Sequence, residues 1–126
     1  MIVQEPEKIV ERLRQTIKNG EYGTDYTIIP RDKNNKLREL YLIDDSKIKR
    51  ILLDLTVGDY IKTEKSTSAE FPDDIVHFFT KDVSLIQRFS NNIEPQAVKL
   101  YIKFTWTKET EYGKLVFISF HGWEEE

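Results

Sequence analysis

Residues 98–106, VKLYIKFTW, alternate polar and apolar side chains more regularly than any other part of the chain. Lys99, Tyr101 and Lys103 fall on one side of the alternation, and leucine, isoleucine and phenylalanine fall on the other. A period of two is typical of a strand with one face on a core and one in water. After a turn predicted at 111–113, the segment KLVFISFHGW returns as its antiparallel partner. The sequence therefore predicts an antiparallel sheet.

Two segments have the apolar spacing of helices. The first helix is predicted over Pro6–Asn19, with proline at its first position and Gly20 after its end. A second helix is predicted after a capping residue at Asp44 or Asp45. Its apolar residues repeat at i, i+3, i+4 and i+7: Ile48, Ile51, Leu52 and Leu55.

Between these segments the pattern is weaker. Turn residues and short apolar runs predict strands at 26–29, 37–42 and 75–80, loops at 30–35 and 64–74, a short turn at 56–59 and a helical turn at 82–89. With helices first and strands last, we expect one α+β domain over residues 1–126. Its N-terminal and central helices should pack on one face of an antiparallel sheet, leaving the other face open for function.

The chain has no cysteine, which excludes a disulfide framework, a thiolate metal site and a cysteine nucleophile. No apolar run approaches the roughly 18 residues of a membrane span, and the start of the chain meets charge within five residues and has no apolar segment of the signal-peptide kind. These features favour a cytoplasmic protein without membrane contact.

The formal net charge of −3 argues against a protein that coats RNA or packages DNA. Three of the acidic residues form the segment 124–126, and without them 19 acidic residues face 19 basic ones. A transient RNA substrate needs only a local basic pocket, so RNA remains compatible with this balance.

His77 and His121 are the two histidines, and both lie on or at the end of predicted strands. Histidine is the side chain best suited to exchange a proton near neutral pH. Alone, a strand histidine is more often a surface or hydrogen-bonded residue than a catalyst. Two histidines cannot form a three-histidine zinc site, and no HExxH spacing occurs, so metal catalysis is disfavoured.

Tyr101 stands between Lys99 and Lys103 on the polar side of the best strand, where basic and aromatic groups can hold a phosphate and stack a base. The alternative is an ordinary solvated strand face. Lys62 follows the short turn, where lysines usually face solvent. No phosphate-binding glycine loop, nucleophile elbow or carboxylate pair occurs.

Three segments together resemble the MqsR family of RNA-cleaving toxins: LTVGDYIK at 55–62, VKLYIKF at 98–104 and FISFHGW at 117–123. Lys62 matches the family's first catalytic lysine, and Tyr101 matches its catalytic tyrosine. His121 falls where the family has a second lysine, and His77 falls near its glutamine. Both histidines of the chain thus stand at family site positions.

The resemblance implies a RelE- or barnase-like fold and a type II toxin–antitoxin system in which an antitoxin protein holds the toxin inactive. The implied reaction is mRNA cleavage without metal or cofactor, by attack of a 2′-hydroxyl on the adjacent phosphate. It needs a base, an acid and a cation. We expect His121 as acid or base, His77 as its counterpart or a phosphate donor, and Lys62 as the cation. Tyr101 would contact phosphate or sugar, with Lys99 and Lys103 binding substrate.

The main alternative is a non-catalytic α+β module that binds protein or RNA with the same surface. Geometry separates the two hypotheses. The nuclease hypothesis requires Lys62, His77, Tyr101 and His121 on one concave patch within reach of one phosphodiester. Histidines on opposite faces of the sheet would end the proposed mechanism.

Overall fold

The computed structural model describes residues 5–66, 74–91, 93–107 and 114–123. Over those residues it has the helices α1 (Pro6–Asn19), α2 (Asp32–Leu40) and α3 (Asp45–Leu53), and a 3₁₀ turn at Val57–Asp59. The strands are β1 (Tyr26–Ile28), β2 (Tyr60–Lys65), β3 (Ile75–Leu85), β4 (Gln96–Trp106) and β5 (Leu115–Gly122). None of the helices in these ranges has the length and apolar character to cross a bilayer.

The strands form one open sheet in the order β1-β5-β4-β3-β2. Neighbouring strands are antiparallel except at one edge, where β1 pairs parallel with β5. The α+β class predicted from the sequence is confirmed, while the sheet is mixed rather than purely antiparallel. The parallel pair is possible because most of the chain lies between β1 and β5, which provides the long crossover that parallel pairing requires.

Helices α1 and α3 cover one face of this sheet, while α2 packs against β5. The apolar stripe of α1 is fully or almost fully buried, and it packs with α3 in the same cluster as the inward side chains of β4 and β5. The largest of those sheet residues are Phe104, Phe117 and Phe120. Burying apolar side chains stabilises a fold by roughly 25 cal/mol per Å² removed from water, so this cluster is the main source of stability.

Both predicted helices are confirmed, with local reasons for their limits. Pro6 occupies the start of α1, where its missing N–H costs nothing. Gly20 follows the helix at a close approach, since a Cβ there would lie 2.6 Å from the carbonyl oxygen of Thr16. Asp44 caps α3, its carboxylate accepting a 2.8 Å hydrogen bond from the backbone N–H of Lys47.

Two predicted segments differ from the structure. The loop and strand predicted over 30–42 are instead the helix α2, which buries only Asn34 and Leu37 and so has almost no apolar period to detect. The helical turn predicted at 82–89 is wrong, because β3 continues to Leu85 and Gln87 then forms an isolated β-bridge with Tyr41. Strand β2 likewise runs to Lys65, into the predicted loop. The remainder of that loop at 67–73, and the predicted turn at 111–113, lie outside the described residues.

Candidate nucleic-acid interface on the open sheet face

The sheet face turned away from α1 and α3 is called the open face here. Residues directly opposite each other in an antiparallel pair project to the same face of a sheet. Tyr101 is opposite His121, Lys103 is opposite Phe78, and Phe78 is opposite Lys62. All five side chains therefore lie on the open face, spread over β2, β3, β4 and β5.

Aromatic rings run in contact across the open face. The ring centroids of Phe78 and Tyr101 are 6.3 Å apart, and that of Tyr101 is 5.5 Å from those of both His121 and Trp123. Such spacings are typical of paired rings. Tyr101 is the centre of this group, because each of the other three rings contacts it.

Lysine ammonium groups lie over two of these rings. The Nζ atoms of Lys62 and Lys103 are 4.7 and 5.3 Å from the centroid of Phe78, and Nζ of Lys99 is 4.9 Å from that of Trp123. These distances are within the range of cation–π attraction. We call the whole set the basic–aromatic face: Lys62, Phe78, Lys99, Tyr101, Lys103, His121 and Trp123.

His121 is buried, with 2% of its surface exposed. Its ring packs against Tyr101 on β4 and lies beside the start of α2. Its Nδ1–H donates to the backbone oxygen of Gly122 over 2.9 Å. That hydrogen bond selects the tautomer in which Nε2 carries the lone pair.

His121 lies in the wall of a shallow cavity of about 350 Å³ between β4, β5 and the start of α2. Arg31, Lys33 and Lys103 bring three cationic side chains to this cavity, and Asp32 is its one carboxylate. Cations around a histidine are the surroundings that an anionic phosphate favours. The cavity therefore suits a phosphodiester, with His121 beside it.

Asn34 holds α2 beside this cavity, a role that no motif in the sequence indicates. Strand β1 pairs with β5 only as far as Phe117, which leaves the next backbone groups of β5 without a strand partner. The Asn34 amide donates to the carbonyl of Ile118 over 3.0 Å and accepts from the N–H of Phe120 over 2.9 Å. One side chain thus replaces the missing strand. No spacing rule predicts this role, since Asn34 stood in a predicted loop.

His77 does not share the site. It is opposite Phe104 on β3, so its ring projects to the helix-covered face, 5.4 Å from Phe104 and 5.8 Å from Trp106. Its Nδ1 shares a 2.9 Å hydrogen bond with Oγ1 of Thr63. The expectation that His77 and His121 converge is therefore wrong, and the sheet itself separates them.

The environment of His77 also suits a neutral ring. Burial, assisted by the positive charge of Arg12, lowers the pKa of His77 from 6.5 to about 4. A histidine with that pKa is uncharged near pH 7, so it lacks the second ring proton that a general acid gives up. The mechanism that uses two histidines ends here, and His77 belongs to the core.

Lys62 lies on the expected face but at its far side. Three strand spacings, roughly 14 Å, separate its backbone from that of His121. Its ammonium also forms a 2.8 Å ion pair with Glu64, with both side chains about half exposed. Lys62 is thus too far from His121 for both side chains to contact the same phosphate-sized group.

In the described ranges, no group of three or more histidine, aspartate or glutamate side chains could hold a metal ion. Comparisons of the chain with protein-family profiles, with curated proteins and with solved structures found no match. The residues of the open face are therefore the basis for assigning a function to this protein.

Proposed function

We propose that this protein is a metal-independent ribonuclease that binds single-stranded RNA across its basic–aromatic face. One observation carries the proposal: Tyr101 and His121 are cross-strand neighbours on the open face, and three lysines, at 62, 99 and 103, lie on the same face. Trp123, whose side chain is partly exposed, can stack on a base, and the ammonium groups can follow the phosphates. The resemblance to the MqsR toxins suggests the same substrate.

The proposed reaction is the attack of a ribose 2′-hydroxyl on the adjacent phosphorus. His121, with its Nε2 lone pair, takes the hydroxyl proton as the P–O bond forms and the bond to the 5′-oxygen breaks. Lys103 lines the same cavity and supplies a proton to the leaving 5′-oxygen. Arg31 stabilises the charge of the pentavalent phosphate. The products are a 2′,3′-cyclic phosphate and a 5′-hydroxyl.

This assignment changes the roles expected from the sequence. Lys103, first considered only for binding, becomes the proton donor because it is diagonal to His121 across the β4–β5 pair. Lys62 becomes an RNA-binding residue because of its distance from His121. Tyr101 keeps its expected role as a contact to phosphate or sugar.

The test is cleavage of a single-stranded RNA by the purified full chain in excess EDTA, with the ends of the fragments identified. We expect cleavage to persist and to leave cyclic phosphate and 5′-hydroxyl ends. Cleavage that chelation abolishes and magnesium or manganese restores would overturn the mechanism, because the named residues hold no metal.

A second candidate, a non-catalytic RNA-binding module, is favoured by one specific observation. The open face has a single histidine, since His77 lies on the other side of the sheet. Such a module would bind RNA with the same lysines and rings and leave it intact. Binding without cleavage in the assay above would establish this alternative.

The resemblance also leads us to propose a toxin of a type II toxin–antitoxin system, acting on mRNA in the cytoplasm and inhibited by a cognate antitoxin protein. The overall acidic balance of the chain supports no DNA binding by this protein alone. Induced expression should arrest growth, and co-expression of the neighbouring gene should relieve the arrest. Normal growth on induction of the folded protein would contradict the toxin proposal.

A further inference from the structure

A second cavity, of about 290 Å³, opens where β4 begins and β5 ends, against the exposed side of α2. Three lysines reach it, Lys33 and Lys36 from α2 and Lys99 from β4, and Trp123 forms part of its wall. Leu37 and Tyr41 add apolar surface. Positive charge beside an aromatic wall is the combination that binds a nucleotide, with the base on the ring and the phosphate on the lysines.

This cavity continues the proposed RNA path. Lys33 lines both this cavity and the one beside His121. Trp123 follows His121 by two residues, and its ring contacts Tyr101 edge-on over 5.5 Å. A strand with one phosphate at His121 can therefore place its neighbouring nucleotide in the second cavity without leaving the protein surface.

The size and exposure of the cavity agree with a single nucleotide. Its volume is at the lower end of the roughly 300–1,000 Å³ of small-molecule sites. The Trp123 side chain is 43% exposed, so part of the indole is available for stacking. Lys33 and Lys36 are exposed on one side of α2, one helical turn apart.

We infer that this cavity is a nucleotide subsite, in which Trp123 stacks on the base next to the cleaved phosphodiester while Lys33 and Lys36 bind its phosphate. The inference rests on the RNA substrate of the proposed function but not on cleavage. The subsite fixes the register of the RNA, so that one particular phosphate meets His121. The indole ring can stack on any base, whereas a nucleotide that lacks its base cannot make this contact.

The experiment measures binding of a fluorescein-labelled 2′-O-methyl RNA hexamer to the full chain, since the methyl group blocks the 2′-hydroxyl attack. Trp123→Ala should weaken binding about tenfold, the usual effect of losing one stacked base. A Lys33→Ala/Lys36→Ala variant should lower the salt dependence of log K by about 0.7, which corresponds to one phosphate contact. Lys18→Ala, the same change on the exposed side of α1, should match the parent protein.

Hexamers with one abasic position provide the second arm. One such position should weaken binding to the parent protein about tenfold and should have no effect on Trp123→Ala. If every abasic hexamer binds like the intact one, or if the subsite variants bind like Lys18→Ala, the inference is wrong. The inference would also be overturned if an acidic peptide displaced the hexamer from the parent protein but not from the Lys33→Ala/Lys36→Ala variant, while abasic positions left hexamer binding unchanged. The cavity would then bind an acidic peptide rather than a nucleotide.

The same proteins separate this inference from the proposed function. If the parent protein cleaves unmodified RNA but the subsite variants bind the hexamer as tightly as the parent protein does, the ribonuclease proposal is supported and the subsite is rejected. Binding that depends on the subsite, without cleavage, would support the subsite and reject the ribonuclease. A parent protein that binds no RNA would reject both.

Discussion

His121 combines a chemical role with a structural one, because the ring that is proposed to move a proton is also packed between strands. Its burial changes what a substitution can be expected to do. A solvent-exposed residue could be replaced at almost no cost in stability, but a buried ring with a hydrogen bond to Gly122 cannot.

We therefore predict two separable effects for His121→Gln. Cleavage should fall by about 10²- to 10⁴-fold, the usual loss when a general base is removed. The free energy of unfolding should fall by about 1 kcal/mol, a typical cost at a buried position. Single-turnover cleavage and urea denaturation measure the two quantities. Unchanged specific activity in the folded variant would remove His121 from the chemistry.

The lowered pKa of His77 should make the stability of the protein depend on pH. That pKa is about 4 in the folded protein and near 6.5 when unfolded, so between these values the unfolded chain binds the extra proton. The contribution of the neutral ring is fully present above pH 6.5 and is lost as the pH falls towards 4. Urea denaturation between pH 7.5 and 4.5 should show a smaller fall for His77→Phe than for the parent protein. Parallel curves would contradict the lowered pKa.

The sequence indicated which residue types form the open face but not the side on which His77 lies. The alternation of polar and apolar residues along a strand shows which sheet face a side chain is on only where one of the two faces is polar. In β3 the residues Val76, His77, Phe78 and Phe79 are all buried, because an apolar cluster also covers part of the open face. A strand that is apolar on both sides carries no period that could separate its faces.

At the scale of elements, the helices and strands with strong periods were predicted with nearly correct limits, namely α1, α3, β4 and β5. The helix α2 was missed because its position depends on a hydrogen bond rather than on an apolar stripe. Asn34 binds two backbone groups that lie more than 80 residues away in the chain. Tertiary hydrogen bonds of this kind have no local sequence pattern.

We therefore expect substitutions at two adjacent asparagines to differ greatly in their effect on the free energy of unfolding. Asn34→Ala should lower the free energy of unfolding by about 2–3 kcal/mol, because the carbonyl of Ile118 and the N–H of Phe120 lose their partners in a buried place. Asn35→Ala, on the exposed side of the same helix, should change it by less than about 0.5 kcal/mol. Thermal and urea denaturation of both variants provide the comparison. Equal stabilities would show that α2 does not depend on this bond.

At the scale of the whole molecule, the acidic balance and the basic–aromatic face act together. A net charge of −3 gives little general attraction for nucleic acid, so the proposed RNA binding would depend on the local lysines. The predicted antiparallel sheet with one open face was correct in outline. The parallel edge strand was not predictable, since β1 has three residues and its partner lies about 90 positions further along the chain.

Salt dependence should reveal these local contacts. With three to five phosphate contacts, log K for single-stranded RNA should fall with log salt at a slope of about −2 to −3.5. Lys62→Ala should reduce the steepness by about 0.7, whereas Lys18→Ala should leave it unchanged. Fluorescence anisotropy from 50 to 300 mM salt measures both. The same slope for Lys62→Ala and the parent protein would place Lys62 outside the interface.

The position of β5 in the sheet has a consequence for the protein during its synthesis. Both neighbours of β5 precede it in the chain, so β1 waits unpaired until residues 115–122 have been translated. The cavity beside His121 needs the same residues, because its histidine and one wall come from β5. A nascent chain that ends before β5 therefore has neither a finished sheet nor the proposed RNA-cutting site. On this topology, a ribosome would have to translate residues 115–122 before the protein could attack, as proposed, the message being read.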